Sequence, residues 1–113
     1  MDAFIPAQGE TLLQLVSAQP GSCLAGNPAD VFTTVPYPGF AQCFANGLPA
    51  SEAAVLAATQ RSLAFSAATA PSGVPAWQTI PSWSVIGTVD HVIPPAGQLA
   101  MSERAIEAAR AAV

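Results

Sequence analysis

The residue types best suited to catalysis lie together in residues 81–95, which read PSWSVIGTVDHVIPP. Asp90 stands where the apolar run 83–89 ends, and His91 follows it. A carboxylate at the end of a strand can hold a catalytic histidine in the correct tautomer and stabilise the imidazolium that forms during proton transfer. The position at the end of an apolar run therefore makes Asp90 a candidate functional side chain of an α/β protein.

His91 is the single histidine of the chain. Adjacent residues of a strand or turn point in different directions, so Asp90 is poorly placed to orient its own neighbour. We expect His91 to be a solvent-facing loop residue rather than a catalytic base. For Asp90 the alternative to a catalytic role is a turn or helix-capping aspartate near Pro94.

The two cysteines give no indication of a metal site. Cys23 and Cys43 lie twenty positions apart, no CxxC pair is present, and a single histidine accompanies them. Zinc sites need more ligands than this at closer spacing. We expect two reduced thiols in a cytoplasmic protein, with no metal and no organic cofactor.

Charge and hydropathy exclude several classes of partner. The net charge is −4, with three arginines and no lysine, which argues against nucleic acid. No apolar run approaches the ~20 residues of a membrane-spanning helix, and the first residues lack the features of a signal peptide. Because only 9 % of residues are charged and 51 % are hydrophobic, we expect a chain that hides an apolar face against a partner or a second copy, or one that belongs to something larger. The alternative is a neutral, alanine-rich surface.

Local patterns predict several helices and one strand. We expect short helical pieces over 11–18 and 40–45, with an extended piece over 31–35 between them. A longer helix is expected over 51–65, with Ser51 as its N-cap. Its expected apolar stripe contains Val55, Leu56, Thr59 and Leu63.

Residues 83–89 form the one convincing strand, apolar on both faces as in a parallel sheet, and a helix is expected over 96–113. A buried strand needs neighbours on both sides. Within this chain 31–35 is the only candidate neighbour for it.

The order of features in IPSWSVIGTVDHVIPPAGQLAMSERA is strand, Gly-Thr-x-Asp, Pro-Pro, and a helix that begins near a glutamine. This order resembles the late segment of α/β-hydrolase-fold esterases, in the branch that also contains hydroxynitrile lyases and plant-type methylesterases. Upstream, DAFIPAQGETLLQLV looks like the stretch before the lid of that family. LPASEAAVLAATQRSLAFSAATAPSGVPAWQTIPSW looks like the lid helices and the return to the sheet. The resemblance covers nearly all of the 113 residues.

The resemblance implies one partial α/β-hydrolase domain over 1–113, with mostly helical content and one or two parallel strands. Residues 1–80 match the post-strand loop and lid helices, and 81–113 match the acid-bearing strand and the following helix. In that family the triad acid ends this strand, which corresponds to Asp90. The resemblance also implies a substrate pocket, to which Trp77, Phe40 and Phe44 contribute unless they are simply core residues.

The family order is Ser, then Asp or Glu, then His. No serine here has the G-x-S-x-G setting, and no histidine follows the last helix. The resemblance thus implies a truncated piece of a serine esterase that hydrolyses small carboxylic esters in the intact relative and is inactive alone. Two alternatives stay open: a stand-alone, non-catalytic binding domain derived from a hydrolase, favoured by the low charge, and a split enzyme whose Ser and His come from a second polypeptide.

Overall fold

The computed structural model describes residues 4–17, 21–23 and 37–111. In these ranges the chain forms five α-helices and one short 3₁₀ helix, with no strand. They are α1 (Leu12–Ser17), α2 (Tyr37–Cys43), α3 (Ala50–Ala58), α4 (Phe65–Thr69), the 3₁₀ helix (Ala76–Gln78) and α5 (Pro95–Ala111).

The predicted α/β fold is wrong, because residues 83–89 form no strand and the described ranges contain no sheet. Instead of being buried on both faces, Trp83 is 89 % exposed, Val85 64 % and Val89 70 %. A strand needs a neighbour to accept and donate its backbone hydrogen bonds, and no other described segment lies beside this one as a strand. The neighbour expected over 31–35 falls outside the described residues. Local strand preference is therefore overridden by the tertiary context.

Helix α5 confirms the helix predicted for the end of the chain over Pro95–Ala111. Pro95 occupies its first position, where the missing N–H has no helical partner to lose, and Arg110 complements the negative end of the helix. The helix buries one face against the rest of the chain, formed by Gly97, Gln98, Met101 and Ser102.

Helix α3 is shorter than predicted and is oriented differently. It begins one residue before Ser51, which lies in the first turn and makes no capping hydrogen bond. The large residues expected to face the core are exposed, with Val55 at 62 %. Ala53 and Ala57 are buried against Phe40 of α2 instead, because short side chains allow the two helices to approach closely around one phenylalanine ring.

The described core consists of three small clusters rather than one large one. The first joins α1, α2 and α4, the second joins α2 and α3, and the third joins α1 and α5 through the loop before α5. Their buried members are Val16, Cys43 and Ala68; Phe40, Ala45, Ala53 and Ala57; and Leu15, Ile93 and Met101. Such small clusters bury little apolar surface, so cross-links between distant segments carry more of the stability.

One of these cross-links overturns the expectation of two reduced thiols. Cys23 and Cys43 form a disulfide, with their Cα atoms 5.6 Å apart, inside the range that disulfide geometry requires. The bond ties residues 21–23 to the end of α2. Sequence spacing alone carries no information about this distance, because the fold determines it.

A second cross-link ties the N-terminal segment to α5. Arg104 donates from Nη1 to Glu10 Oε1 at 2.8 Å and from Nη2 to Glu10 Oε2 at 2.9 Å. Nη2 also donates to the backbone oxygen of Ile5. The hydrogen bonds from Arg104 lower the pKa of Glu10 below its usual value, although partial burial of the carboxylate opposes this effect.

Candidate functional site

Asp90 lies in a turn and both of its carboxylate oxygens are engaged. Oδ1 accepts the backbone N–H groups of Val92 at 2.8 Å and Ile93 at 2.9 Å. Oδ2 accepts the side-chain amide of Gln98 at 3.2 Å. A short acidic side chain that accepts amides two and three residues ahead stabilises a tight turn. This geometry corresponds to the turn role that we set beside the catalytic one.

Gln98 is the residue of this site that the sequence analysis did not single out. It is buried, at 3 % exposure, and its Nε2 also donates to the backbone oxygen of Ile93 at 2.6 Å. Its Oε1 accepts the backbone N–H of Gly87 at 3.1 Å. One amide side chain therefore holds both ends of the turn against the first turn of α5. The available signal was a polar residue beside Met101 on the face of α5 that packs inward.

The outer side of the turn is held by segments that the disulfide links. The backbone N–H of Cys23 donates to His91 O at 2.8 Å, and Asn46 Nδ2 donates to Val89 O at 2.6 Å. His91 is exposed, and its Nδ1 lies 2.8 Å from the carbonyl oxygen of Gln42. Because a carbonyl can only accept, Nδ1 carries the proton in this contact. No described hydrogen bond joins His91 to Asp90, so the structure does not form an Asp–His pair from these neighbours.

The three aromatic residues predicted for a substrate pocket occupy different places. Phe40 is buried, at 3 % exposure, in the cluster between α2 and α3. Phe44 stacks on it with ring centroids 5.4 Å apart and lines a shallow cavity of about 520 Å³ together with Asp90. Trp77 lines a separate groove. The structure brings Phe44 and Asp90 together but leaves Phe40 and Trp77 apart from that cavity.

The groove that contains Trp77 is the larger of these two depressions, at about 650 Å³. It lies between the 3₁₀ helix, residues 79–84 and α5, and Trp83 forms part of its wall. None of its lining residues is charged. Trp77 is anchored by a 3.1 Å hydrogen bond from Nε1 to Pro6 O, whereas Trp83 is almost fully exposed. The groove is suited to uncharged, apolar groups.

Residues 81–86, which run along this groove, have unpaired backbones. No hydrogen bond is described for the backbone N–H or C=O groups of these six residues, and pairing resumes at Gly87. Residues 81–85 are all exposed; Trp83 and Val85 present large apolar side chains to solvent, and Ser84 Oγ lies 2.8 Å from Ser102 Oγ of α5. We call residues 81–86 the open segment.

The part of the chain that the structure describes contains no candidate metal site and no candidate membrane-spanning helix. No group of three or more His, Cys, Asp or Glu side chains is placed there to hold an ion. No helix there has both the length and the apolar character needed to cross a bilayer.

Comparison with protein-family models, with curated proteins and with solved structures finds no match for this chain. The resemblance to α/β-hydrolase-fold esterases, and with it the catalytic role of Asp90, therefore stays a prediction.

Proposed function

We propose that this chain is a non-catalytic binding unit that recognises an extended polypeptide by pairing the open segment with it. A single observation carries the proposal: no backbone hydrogen bond is described for six consecutive residues, and two of them, Trp83 and Val85, expose strand-forming side chains. An added strand takes its affinity from main-chain hydrogen bonds and its specificity from pockets that receive alternate side chains. The open segment supplies the main-chain hydrogen-bonding groups, and the adjacent groove supplies a pocket.

The charge pattern supports the same function. Residues 62–89 contain no charged side chain, so the charged gatekeepers that usually protect a strand edge are missing from the open segment. Trp83 exposes a large aromatic surface to water, and covering about 100 Å² of apolar area stabilises a complex by about 2–3 kcal/mol. The partner segment is expected to be uncharged and to cover the exposed Trp83 with an apolar side chain.

Serine esterase activity, which the resemblance implies, is not the function that we propose. The carboxylate of Asp90 accepts hydrogen bonds from two backbone N–H groups and from the side-chain amide of Gln98. It lies in a turn rather than at the end of a strand. A fluorophosphonate probe, which reacts with activated serines, is expected to leave the chain unlabelled. Stoichiometric labelling seen by intact-mass spectrometry would instead favour hydrolysis.

The disulfide bears on the compartment in which the protein works. We expected a cytoplasmic protein, but disulfides persist mainly in oxidising compartments, and Cys23 is bonded to Cys43. We therefore propose that the protein works where thiols are oxidised. Alkylation of free thiols in source cells before lysis, followed by mass measurement, tests this, because a predominantly alkylated protein would favour the cytoplasm.

The binding proposal is tested with a neutral strand peptide, acetyl-Thr-Val-Thr-Val-Thr-amide. We expect it to slow amide hydrogen exchange in the open segment and to shift the indole N–H resonances of Trp83 and Trp77 in NMR spectra. The matched control is the same peptide with every backbone amide N-methylated, which cannot donate hydrogen bonds to the open segment along either edge. Equal binding of the two peptides, or binding that leaves the open segment unprotected, would contradict the proposal.

A further inference from the structure

We infer that the polypeptide recognised by the open segment is the open segment of a second copy, so that the chain forms a two-fold symmetric dimer through an antiparallel pair of these strands. This inference rests on the proposed function and names its partner. It accounts for the strand-like residues 83–89, which have no partner within the described part of one chain.

The ends of the open segment suit a short, self-complementary pairing. Pro81 has no N–H and terminates a ladder at one end. At the other end the N–H of Gly87 is already donated to Gln98. The residues between them, 82–86, are centred on Ser84. A two-fold axis at Ser84 pairs residue 82 with residue 86 of the second copy, so every pairing position in this range is filled once from each chain.

The same register places complementary side chains opposite each other. With the axis at Ser84, Trp83 of one chain faces Val85 of the other, and the reverse pair forms across the axis. Aromatic and β-branched residues directly opposite each other stabilise a strand pair. Ser84 itself points toward Ser102 of its own α5, so the exposed face of the two-stranded ribbon consists of the two Trp83–Val85 pairs.

Electrostatics do not oppose this pairing. A homodimer brings identical charges together, and like charges directly opposite each other destabilise a strand pair. Since residues 62–89 are uncharged, two copies of the open segment meet without repulsion. The adjacent groove likewise has no charged residue in its lining.

Exposed apolar side chains flank the open segment. Ile80 and Ile106 line the adjacent groove and are 59 % and 50 % exposed, so they offer apolar area to a second copy.

Sedimentation equilibrium of the oxidised, full-length chain tests the inference. We expect twice the monomer mass at high concentration, and protection of the amides of residues 82–86 that increases with protein concentration. Val85→Lys places a charge in the interface and is expected to weaken the dimer at least tenfold. Val74→Lys is the matched control, because Val74 is 72 % exposed and lies outside the open segment, and it should leave the dimer intact.

Because both substituted side chains are exposed, we expect both variants to keep the helical fold. Circular dichroism checks this. A chain that stays monomeric up to about 1 mM, which corresponds to ~4 kcal/mol of association free energy, would overturn the inference. A dimer that Val85→Lys leaves unchanged would also overturn it. If the chain is monomeric but the strand peptide still protects residues 82–86, the second copy is excluded and the proposed function stands. If neither a second copy nor the strand peptide pairs with the open segment, both the inference and the proposed function are wrong.

Discussion

Gln98 connects three segments through one buried side chain. It contacts the Asp90 carboxylate, the carbonyl of Ile93 and the amide of Gly87. The turn before α5 therefore depends on a residue eight positions after Asp90, and the open segment ends where Gln98 takes up the Gly87 amide.

Replacing Gln98 by leucine is expected to lower the free energy of unfolding by about 2–3 kcal/mol. The substitution keeps a similar volume but leaves the backbone N–H of Gly87 and the backbone C=O of Ile93 without their hydrogen-bond partner. Chemical denaturation measures the change. Gln8→Leu is the control, because Gln8 is exposed and has no described hydrogen bond, and it should change stability by less than about 0.5 kcal/mol. Equal effects would show that Gln98 does not hold the turn.

The Glu10–Arg104 pair makes the stability depend on pH. The pKa of Glu10 is lower in the folded chain than its ordinary value of 4.5, chiefly because of the hydrogen bonds from Arg104. A depressed pKa stabilises the fold above the unfolded-state value, and this contribution is lost as pH falls through the folded-state value. The pair is partly exposed, so its contribution is about 1 kcal/mol.

We therefore expect Glu10→Gln to be less stable than the parent chain near neutral pH, and the difference to shrink as pH falls through the folded-state pKa of Glu10 and the parent carboxylate takes up a proton. Urea denaturation across this pH range measures the difference. Glu52→Gln, which removes an exposed carboxylate without a described ion pair, is the control. A Glu10→Gln difference that stays constant with pH would rule out the ion pair as its cause.

Helices α2 and α3 pack through alanines rather than through the large residues of α3. The turn that joins them contains Gly47 at a φ of 90°, a conformation that glycine adopts without strain. This turn brings Phe40 onto Ala53 and Ala57. The outward position of Val55 and Leu56 is a consequence of that close approach.

Ala57→Leu is expected to destabilise the chain by about 1–3 kcal/mol, because the added atoms have no space beside Phe40. Thermal unfolding followed by circular dichroism measures the loss. Ala54→Leu adds the same atoms on the exposed side of the same helix and should be nearly neutral. If the two substitutions behaved alike, α3 would not pack through its alanines.

Across the chain, cross-links compensate for a core made of small clusters. The disulfide, the Glu10–Arg104 pair and the hydrogen bonds around Gln98 each join segments that are distant in sequence. Of these, the disulfide is the only covalent one, and residues 21–23 contact the turn that contains Asp90. Loss of the disulfide is therefore expected to loosen that turn as well as α2.

Reduction with dithiothreitol is expected to lower the free energy of unfolding by about 3 kcal/mol, since the bond closes a loop of 20 residues. Melting temperatures with and without reductant measure the effect. The double variant Cys23→Ser, Cys43→Ser should melt at the reduced temperature and should not respond to the reductant. A parent chain whose melting is unaffected by reduction would contradict this role.

Helices α1 and α5 could be predicted because their information is local, whereas α4 and the 3₁₀ helix lie where the sequence predicted the end of a longer helix and a linker. The periodicity before residue 18 and the double proline followed by an alanine-rich stretch near residue 95 predicted α1 and α5 to within a few residues. A helix satisfies its backbone through N–H to C=O bonds four residues apart, so neighbouring residues are sufficient to specify it. The burial pattern of α3 was less predictable, because the face that turns inward depends on Phe40 of another helix.

The strand, the thiols and the surroundings of Asp90 could not be predicted in the same way. Residues 83–89 have strand-forming side chains, but a strand exists only where a distant segment offers backbone partners. Cys23 and Cys43 pair only because the chain brings them within 5.6 Å. Asp90 was predicted as a catalytic carboxylate, with a turn or helix-capping role as the alternative, and its contacts depend on Gln98 and on the turn between them. Neighbouring residues were sufficient to predict helices such as α1 and α5. Each of the long-range contacts depends on distances that only the folded chain establishes.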